Sequence, residues 1–450
     1  MSTTPQQRPD PVPSKGKPSG EDTAPTEQVR QRFPYASASA WTERMLTTLE
    51  EGMNGRAWYS LIDKVYNPAN LREAWDKVHA NDGAAGVDHM TVGQFDKNAP
   101  AELEALSRKL KEGRYEPSPV RRVHIPKPGT TQTRPLGIPT VRDRVVQGAL
   151  RHVLEPIFEI SFADQSYGFR PGRGCKDALR RVDGLLKKGW QWVVDVDLQS
   201  YFDSIPHDQL LMRIKQKVAD GRVLSLVEKM LKQGVMEGLV QWTPMSGAPQ
   251  GAVLSPLLSN IYLDPLDHLL AAKGHEMIRY ADDLVVMCRS REDAERALAL
   301  IGEWVESAGL KLHPQKTRLV NAAEEGFDFL GYRFESGKRK PRDKSLQRLR
   351  ESVRDKTGRN NGFAMQVIVM KLNLTLRGWF GYFQHSDRRC LKDLDGWIRR
   401  RLRSILRQRK GQRGRSGWDN LTWPNAYFRE MGLYSLYEAQ LQKRQSVVRR

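Results

Sequence analysis

Cysteine is scarce in this sequence, and long apolar runs are absent from it. The three cysteines among its 450 residues, Cys175, Cys288 and Cys390, are spaced 113 and 102 positions apart. A disulfide framework and a cysteine-based zinc site are therefore both disfavoured. No stretch approaches the roughly 18 uninterrupted apolar residues of a membrane helix, and the N-terminus lacks the apolar core of a signal peptide. We expect an intracellular protein with no membrane partner.

Acidic residues are under-represented in only one part of the chain. Residues 331–450 contain 30 Lys and Arg against 10 Asp and Glu, so this part carries a net charge of +20, equal to that of the whole chain. Residues 1–330 are neutral in sum. A segregated cationic module usually faces a polyanion, most often nucleic acid. The simpler alternative is a solvated, solubilising surface.

Large apolar residues are also rare near the start of the chain. Residues 1–40 contain seven prolines and many Ser, Thr and Gln. Such a segment buries too little surface to offset the entropy of ordering it, so we predict a disordered tail. Order is expected to begin near Trp41, and the part beyond residue 335 is predicted to be mainly helical.

Acidic residues end two predicted strands in the neutral part. The run 191–198 is predicted as a buried strand that ends near Asp197, and 277–288 as a strand, a tight turn that holds Asp282 and Asp283, and a second strand. Carboxylates fixed at adjacent strand ends suit two Mg²⁺ ions, which take oxygen ligands and promote phosphoryl transfer. An Asp-Asp turn alone usually only solvates a hairpin tip. Buried flanking strands change that judgement, because unpaired carboxylates there are costly without a cation.

Six ordered motifs give the sequence a family resemblance. They are RPLGIP (134–139), SYGFRP (166–171), DLQSYFD (197–203), GAPQGAVLSP (247–256), YADD (280–283) and RGWFGYF (377–383). The first two are similar to finger motifs of group II intron-encoded reverse transcriptases. The next three resemble the palm motifs of reverse transcriptases, and the last resembles the maturase region that forms the thumb. The similarity covers about residues 56–440 in family order, which makes it specific.

The resemblance implies an α+β fold, a right-hand polymerase with fingers, an antiparallel palm sheet and a helical thumb that follows. The expected parts are a disordered tail (1–40), an N-terminal extension with the start of the fingers (41–112), the fingers and palm (113–335), the maturase or thumb domain (336–410) and a short basic DNA-binding extension (411–450). No paired-cysteine endonuclease module precedes residue 450, which is typical of the bacterial, endonuclease-free, class C-like proteins of the family.

The resemblance also implies roles for single residues. Asp197, Asp282 and Asp283 would be the catalytic carboxylates and would bind two Mg²⁺ ions, for which Mn²⁺ can substitute. The nucleotide site would comprise Lys127, Arg134, Phe202, Gln250, Gly251 and Lys316. Lys127 and Arg134 would hold the triphosphate, Phe202 would exclude a 2′-hydroxyl, and Lys316 would assist departure of pyrophosphate. For each, an ordinary surface or core role is the alternative.

Nucleic-acid contacts are predicted in the basic part of the chain. In 391–410, leucines and isoleucines form an apolar helical stripe, and several arginines lie largely off it. The residues expected to contact nucleic acid are Arg377, Trp379, Arg399, Arg400, Arg403 and Arg407. One departure from the family pattern lies in the palm, where Gln199 and Ser200 replace the usual Lys-Gly after the first catalytic Asp.

We therefore predict an RNA-directed DNA polymerase of a group II intron in the bacterial cytoplasm. It would add deoxynucleoside triphosphates to a DNA primer or target on an RNA template, and would bind intron RNA as a maturase. Two alternatives stay open: a domesticated relative in antiphage defence or DNA repair, and a splicing maturase that no longer polymerises. The intact carboxylates and Gln250 argue against the second. The sequence leaves a homodimer open.

Overall fold

The computed structural model describes residues 25–52, 57–126, 133–412 and 418–448. The helices are α1 (Pro25–Arg32), α2 (Glu43–Glu51), α3 (Ile62–Val65), α4 (Pro68–Asn81), α5 (Val92–Asp96), α6 (Ala99–Lys111), α7 (Val141–Glu159), α8 (Cys175–Lys187), α9 (Tyr201–Ser204), α10 (His207–Lys215), α11 (Gly221–Leu231), α12 (Ser255–Ala272), α13 (Arg291–Ser307), α14 (Asp343–Lys356), α15 (Met365–Phe383), α16 (Arg388–Arg409), α17 (Asp419–Thr422), α18 (Asn425–Glu430) and α19 (Leu436–Val448). The strands are β1 (Val120–Pro126), β2 (Thr133–Ile138), β3 (Trp192–Val196), β4 (Val235–Glu237), β5 (Val240–Trp242), β6 (Glu276–Tyr280), β7 (Asp283–Cys288), β8 (Arg318–Asn321), β9 (Phe327–Phe329), β10 (Tyr332–Glu335) and β11 (Lys338–Pro341).

The strands form three sheets. The palm sheet has the order β6-β7-β3-β8, and every neighbouring pair in it is antiparallel. A finger sheet has the order β2-β1-β4-β5, in which β1 and β2 pair in antiparallel orientation. A small sheet, β11-β10-β9, joins the palm to the first thumb helix. The antiparallel palm sheet predicted from the sequence is confirmed.

The central palm strands, β3 and β7, are apolar at most positions because both of their faces are covered. Alternate residues of β3 and β7 enter different cores: Val194 and Val286 join the large core under α12 and α13, whereas Val193 and Val285 join a second core under α8 and β10. Side chains on a strand alternate between faces, so a strand buried on both sides has no polar face to show. Asp195 is the polar exception within β3, and it lies on the same face as Val193.

The prediction of a disordered tail over 1–40 is wrong for residues 25–40. Residues 25–32 form α1, and Phe33, Ala36 and Ala40 are buried in the large core. Trp41 Nε1 donates to the carbonyl of His152 at 3.0 Å, which fixes the segment to α7. A few apolar side chains are enough to anchor the segment, although its average composition is polar. Residues 1–24 lie outside the described residues.

The described residues 418–448 belong to the thumb core. Trp423, Phe428 and Leu436 are buried in one core with α14, α15 and α16. The Asp395 carboxylate of α16 accepts bonds from the backbone of Leu436 and Tyr437. Residues 418–448 therefore complete the thumb core, and the boundary predicted at residue 411 is not a structural one.

Palm and thumb also share a core across the boundary predicted at 335/336. Phe383 of α15 packs with Phe327 and Tyr332 of the palm side. Tyr332 donates its hydroxyl to the carbonyl of Tyr382, and Tyr382 donates to the carbonyl of Leu330, both at 2.7 Å. Among the described helices, none is long and apolar enough to cross a membrane.

Candidate active site

The palm sheet brings the three predicted carboxylates together. Val196 of β3 lies opposite Leu284 of β7, so the next residues in register are Asp197 and Asp283. Tyr280 pairs with Asp283 across the hairpin, which leaves Ala281 and Asp282 as its turn. Directly opposed residues in antiparallel strands have Cβ atoms about 4.5–5.5 Å apart. Asp197, Asp282 and Asp283 thus form one carboxylate cluster, while their catalytic role stays a prediction.

The negatively charged carboxylates of this cluster repel one another. The Asp283 side chain is in contact with solvent, but the surrounding protein removes part of its hydration. Partial desolvation, and then the charges of Asp282, Asp195 and Asp197, raise the pKa of Asp283 to about 6, against an opposing effect of Arg342. Desolvation also raises the pKa of Asp282, and the charge of Asp197 acts in the same direction. A cation bound between these carboxylates would relieve this repulsion.

A lysine ammonium already lies against one of these carboxylates. Lys316 Nζ is 3.3 Å from both Oδ1 and Oδ2 of Asp197. The neighbouring Thr317 hydroxyl accepts the backbone N–H of Asp197 at 3.3 Å. Lys316 is therefore held at the end of β3 that carries Asp197, and its ammonium pairs with this carboxylate. Its role at the departing pyrophosphate stays a prediction.

A buried arginine, Arg279, stabilises the hairpin that carries Asp282. This hairpin consists of β6, β7 and the turn 281–282, and is here called the YADD hairpin. Arg279 and Asp267 have no exposed surface. Arg279 Nε donates to Asp267 Oδ1 at 2.8 Å, and Nη2 donates to Oδ2 of the same carboxylate. Its Nη1 donates to Asn260 Oδ1 at 2.8 Å and to the carbonyl of Ala281 at 3.0 Å. One guanidinium thus connects helix α12 to the turn that carries Asp282.

The turn itself has an unfavourable backbone conformation. Ala281 has a φ of +59°, in the left-handed region, which costs a non-glycine residue about 1–2 kcal/mol. The loop of the SYGFRP motif packs against it, and a Cβ atom at Gly168 would overlap the backbone nitrogen of Ala281. Asn260 Nδ2 donates to the carbonyl of Gly168 at 2.8 Å. The glycine is therefore needed for close approach, and the finger loop helps to hold the turn in place.

The predicted nucleotide site connects three motifs through backbone bonds. Ala248 N–H donates to the carbonyl of Phe202 at 2.7 Å, and Gly137 N–H donates to the carbonyl of Gln250 at 2.7 Å. Gly251 has a φ of +106°, and a Cβ there would lie 2.6 Å from the carbonyl oxygen of Gly137. The palm motif, the PQG loop and finger strand β2 therefore meet at one place.

One of the two predicted triphosphate ligands, Arg134, lies within the described residues. Arg134 on β2 is exposed, and its charge counteracts the raised pKa of Asp282, which places it within electrostatic range of the carboxylate cluster. Lys127 lies outside the described residues. Phe202 is half-buried and packs against the large core, and its predicted role in the nucleotide site stays a prediction.

The departure from the family pattern at Ser200 has a structural consequence. Ser200 has φ 48° and ψ 39°, a left-handed conformation at the residue where the family usually has glycine. Glycine adopts this conformation without a steric penalty, whereas serine does not. Ser200 therefore adopts a conformation that glycine takes more readily, at a small cost in strain.

Two of the arginines predicted to contact nucleic acid bind protein groups. Arg403 is 5% exposed, and its Nε donates to the carbonyl of Trp423 while its Nη2 donates to Asn425 Oδ1, both at 2.9 Å. Arg407 Nη1 forms an ion pair with Asp419 Oδ1 at 2.7 Å. The prediction is wrong for Arg403, whose guanidinium is buried against protein groups. Arg407 is paired with Asp419 and is not simply solvated, and its contact with nucleic acid stays a prediction. Both arginines meet protein because the segment 418–430 folds over this side of α16.

The other four predicted contacts differ in exposure. Arg400 and Arg377 are exposed and Arg399 is half-buried. Arg400 borders a groove of about 610 Å³ that also contains Arg350 and Arg389. Trp379 stacks on Phe383 with ring centroids 4.6 Å apart and packs into the cores of both thumb and palm side. Its position indicates a structural role, whereas the three arginines remain candidates for phosphate contacts.

Sequence reasoning missed the buried support of the YADD hairpin. A signal was available, because Arg279 lies in an apolar strand pattern and Asp267 in the apolar helix pattern of 255–272. Fully buried charges of this kind are rare unless they are paired. The sequence does not show, however, that these two pair with each other.

The comparisons with known proteins agree with this geometry. Residues 125–334 match the family described as reverse transcriptase (RNA-dependent DNA polymerase), and residues 346–421 match the group II intron maturase-specific domain. Together with the palm sheet and its carboxylates, these matches define a reverse transcriptase with a maturase domain. The chain belongs to the group II intron reverse transcriptase/maturase family. The predicted family and right-hand α+β fold are confirmed.

Individual relatives cover this chain to different extents. Protein YkfC of Escherichia coli K12 is 31% identical over 356 residues, which span 70% of this chain and 92% of YkfC. Group II intron-encoded protein LtrA of Lactococcus lactis subsp. cremoris is 40% identical over 196 residues, but these span 43% of this chain and only 32% of LtrA. A solved structure of a partial Cas6-RT-Cas1–Cas2 complex is 21% identical, covers 55% of this chain and 41% of that chain, and has a TM-score of 0.34, too low to support an argument.

Proposed function

We propose that Asp197, Asp282 and Asp283 bind two Mg²⁺ ions, for which Mn²⁺ can substitute, and that deoxynucleotides are added to a primer 3′-hydroxyl there. The observation that carries this proposal is the convergence of three carboxylates from adjacent ends of β3 and β7. Bound at these oxygens, the ions would lower the pKa of the attacking hydroxyl and neutralise charge on the triphosphate. The donor set fits, because it consists of hard oxygens and because raised carboxylate pKa values fall when a cation is bound.

The surrounding residues would orient the nucleotide. Arg134 would hold the triphosphate from the finger side, since a guanidinium suits bidentate contact with phosphate oxygens. Gln250 and Gly251 would lie beneath the nucleotide, where glycine permits close backbone approach. Lys316, already at hydrogen-bonding distance from Asp197, would move to the departing pyrophosphate and neutralise it.

Sugar selection by Phe202 gives a direct test of this nucleotide site. Phe202→Ala removes the ring beside the proposed 2′ position, so ribonucleotide incorporation should rise at least tenfold relative to deoxynucleotide incorporation. Single-nucleotide extension with paired dNTP and rNTP measures this ratio. Phe363→Ala is the matched control, because Phe363 is an exposed aromatic residue of the thumb side, 52% exposed. An active Phe202→Ala protein with the wild-type ratio would assign Phe202 to the core only.

We further propose that the basic thumb binds the template and intron RNA through phosphate contacts, which carry no sequence information by themselves. Of the predicted cations, Arg399 and Arg400 are suited to this role, because Arg403 and Arg407 already bind protein groups. The same reasoning supports a DNA primer or target as a partner. A bacterial cytoplasmic location and a homodimer remain proposals.

Salt dependence separates phosphate contacts from structural arginines. In Arg399→Gln/Arg400→Gln, affinity for intron RNA should fall, and the slope of log affinity against log salt should shrink by about 0.7–0.9 per lost phosphate contact. Arg403→Gln is the control: it should lower the melting temperature, because it leaves buried carbonyl and amide groups without a donor. An unchanged slope in the folded double variant would show that these two arginines only solvate the helix.

A further inference from the structure

Three metal-ligating side chains meet at the end of the YADD hairpin that lies opposite its turn. Glu276 pairs with Met287 in the hairpin, so the next residues outward in register are His275 and Cys288. Asp293 joins them from the first turn of α13. One ligand atom from each residue, the imidazole nitrogen, the thiol sulfur and a carboxylate oxygen, lie within 4.8 Å of one another.

The imidazole and the carboxylate are spaced like two ligand atoms around one ion, while the Cys288 thiol is hydrogen-bonded to Asp293. His275 Nδ1 and Asp293 Oδ1 are 3.6 Å apart, which is too long for a hydrogen bond. Ligand atoms around a tetrahedral zinc ion, at about 2.0–2.3 Å from the metal, are separated by roughly 3.3–3.7 Å. The set therefore needs only small side-chain movements to surround one ion.

Asp293 is the third residue of α13, a place from which a side chain can bond back to the N-cap backbone, but its carboxylate faces His275 instead. The hydroxyl of Ser290, the N-cap of α13, accepts the backbone N–H of Asp293 at 3.2 Å. An acidic or amide side chain at this third position commonly bonds back to the N-cap backbone, as Gln94 does in α5. The Asp293 carboxylate faces His275 and also accepts from Arg296 Nη2 at 3.3 Å. One carboxylate oxygen is thus directed at the imidazole and the thiol.

We propose that His275, Cys288 and Asp293 bind one divalent metal ion of the zinc class, with a fourth position left for water. Thiolate and imidazole select zinc-class ions, whereas Mg²⁺ takes oxygen ligands, so this site differs in selectivity from the carboxylate cluster. The proposal departs from the sequence prediction, which disfavoured a cysteine-based zinc site because no two cysteines are close in the chain. Here a single cysteine meets a histidine and an aspartate that folding brings to it. A bound ion would connect β6, β7 and α13 at the base of the hairpin.

Burial of the ligands fits a structural ion. Cys288 is fully buried, while the side chains of His275 and Asp293 are 9% and 27% exposed, which leaves an entry from the surface. Burial, and then the neighbouring Asp293, raise the pKa of the Cys288 thiol to about 12, so the thiol carries its proton when no metal is bound. Metal binding replaces this S–H bond by a sulfur–metal bond and releases the proton to solvent.

Titration of the full-length, chelator-treated protein with Cd²⁺ tests the site, because a cadmium–thiolate bond produces an ultraviolet charge-transfer band. We expect the band to saturate at one equivalent of Cd²⁺ per chain in the wild type. Cys390→Ala, which removes a partly buried thiol outside the proposed site, should behave in the same way. It should be lost in Cys288→Ala and weakened at least tenfold in affinity in His275→Ala. Zn²⁺ should raise the melting temperature of the wild type and of Cys390→Ala but not of Cys288→Ala.

Two results would overturn the proposal: absence of the band in the wild type, or a band that Cys288→Ala leaves unchanged. If Cys288→Ala does not fold, His275→Ala and Asp293→Asn decide the matter, since their side chains are partly exposed. Wild-type affinity in both of these variants would likewise exclude the site.

Discussion

Primer extension on an RNA template should fall by at least about a thousandfold in Asp282→Asn, whereas RNA binding stays near the wild-type level. The substitution keeps the size of the side chain but removes the charge at the turn of the YADD hairpin, so the metal-binding oxygens would be incomplete. A loss of this size corresponds to about 4 kcal/mol in the activation barrier. Steady-state extension and filter binding on the same RNA measure the two quantities.

Asp208→Asn provides the matched control, because Asp208 is an exposed aspartate in the first turn of α10, outside the carboxylate cluster. It should extend primers at the wild-type rate. Extension by Asp282→Asn within about tenfold of wild type, a barrier change of only ~1.4 kcal/mol, would contradict the two-metal assignment.

Removal of the buried arginine should have the second largest effect. Arg279→Met leaves the Asp267 carboxylate fully buried without its partner, and breaking a buried ion pair from one side costs about 3–5 kcal/mol. We therefore expect a large loss in the free energy of unfolding, measured by denaturant titration, together with a loss of polymerase activity.

The double variant Arg279→Met/Asp267→Leu separates stability from positioning. Replacing both partners of a buried pair by apolar residues is often neutral or stabilising, so its stability should return towards that of wild type. Its kcat should stay low, and it should need more Mg²⁺, because the carbonyl of Ala281 no longer has a donor from Arg279. If stability and Mg²⁺ dependence both return to the wild-type values, Arg279 supports only the fold.

The palm was predictable because its information is local. Apolar runs that end in carboxylates predicted β3, β6 and β7 within one or two residues, and the motif order predicted that they belong to one sheet. The same local reasoning failed for the segment that contains α1. The few apolar residues of 25–40 stabilise an ordered segment only when they pack against another part of the protein. Composition averages do not show this packing.

The arginines of α16 show the same limit. Helical periodicity correctly separates the buried Leu402 and Ile405 from the other side of the helix, but it treats every arginine on that side as solvated. Arg403 and Arg407 lie under residues 418–430, which return from later in the chain. Whether a charged side chain meets water or protein thus depends on a contact between distant segments.

The sequence by itself determined the class of this protein, the order of its motifs and the three carboxylates of the palm. The tertiary structure alone decided that Arg279 pairs with Asp267, that the thumb core is completed by the last helices, and that His275, Cys288 and Asp293 meet. The reason is physical: periodicity and motifs record which side of an element is apolar or charged. Which distant side chain covers that side depends on how the elements pack, and a buried ion pair or a metal-ligand set exists only after packing.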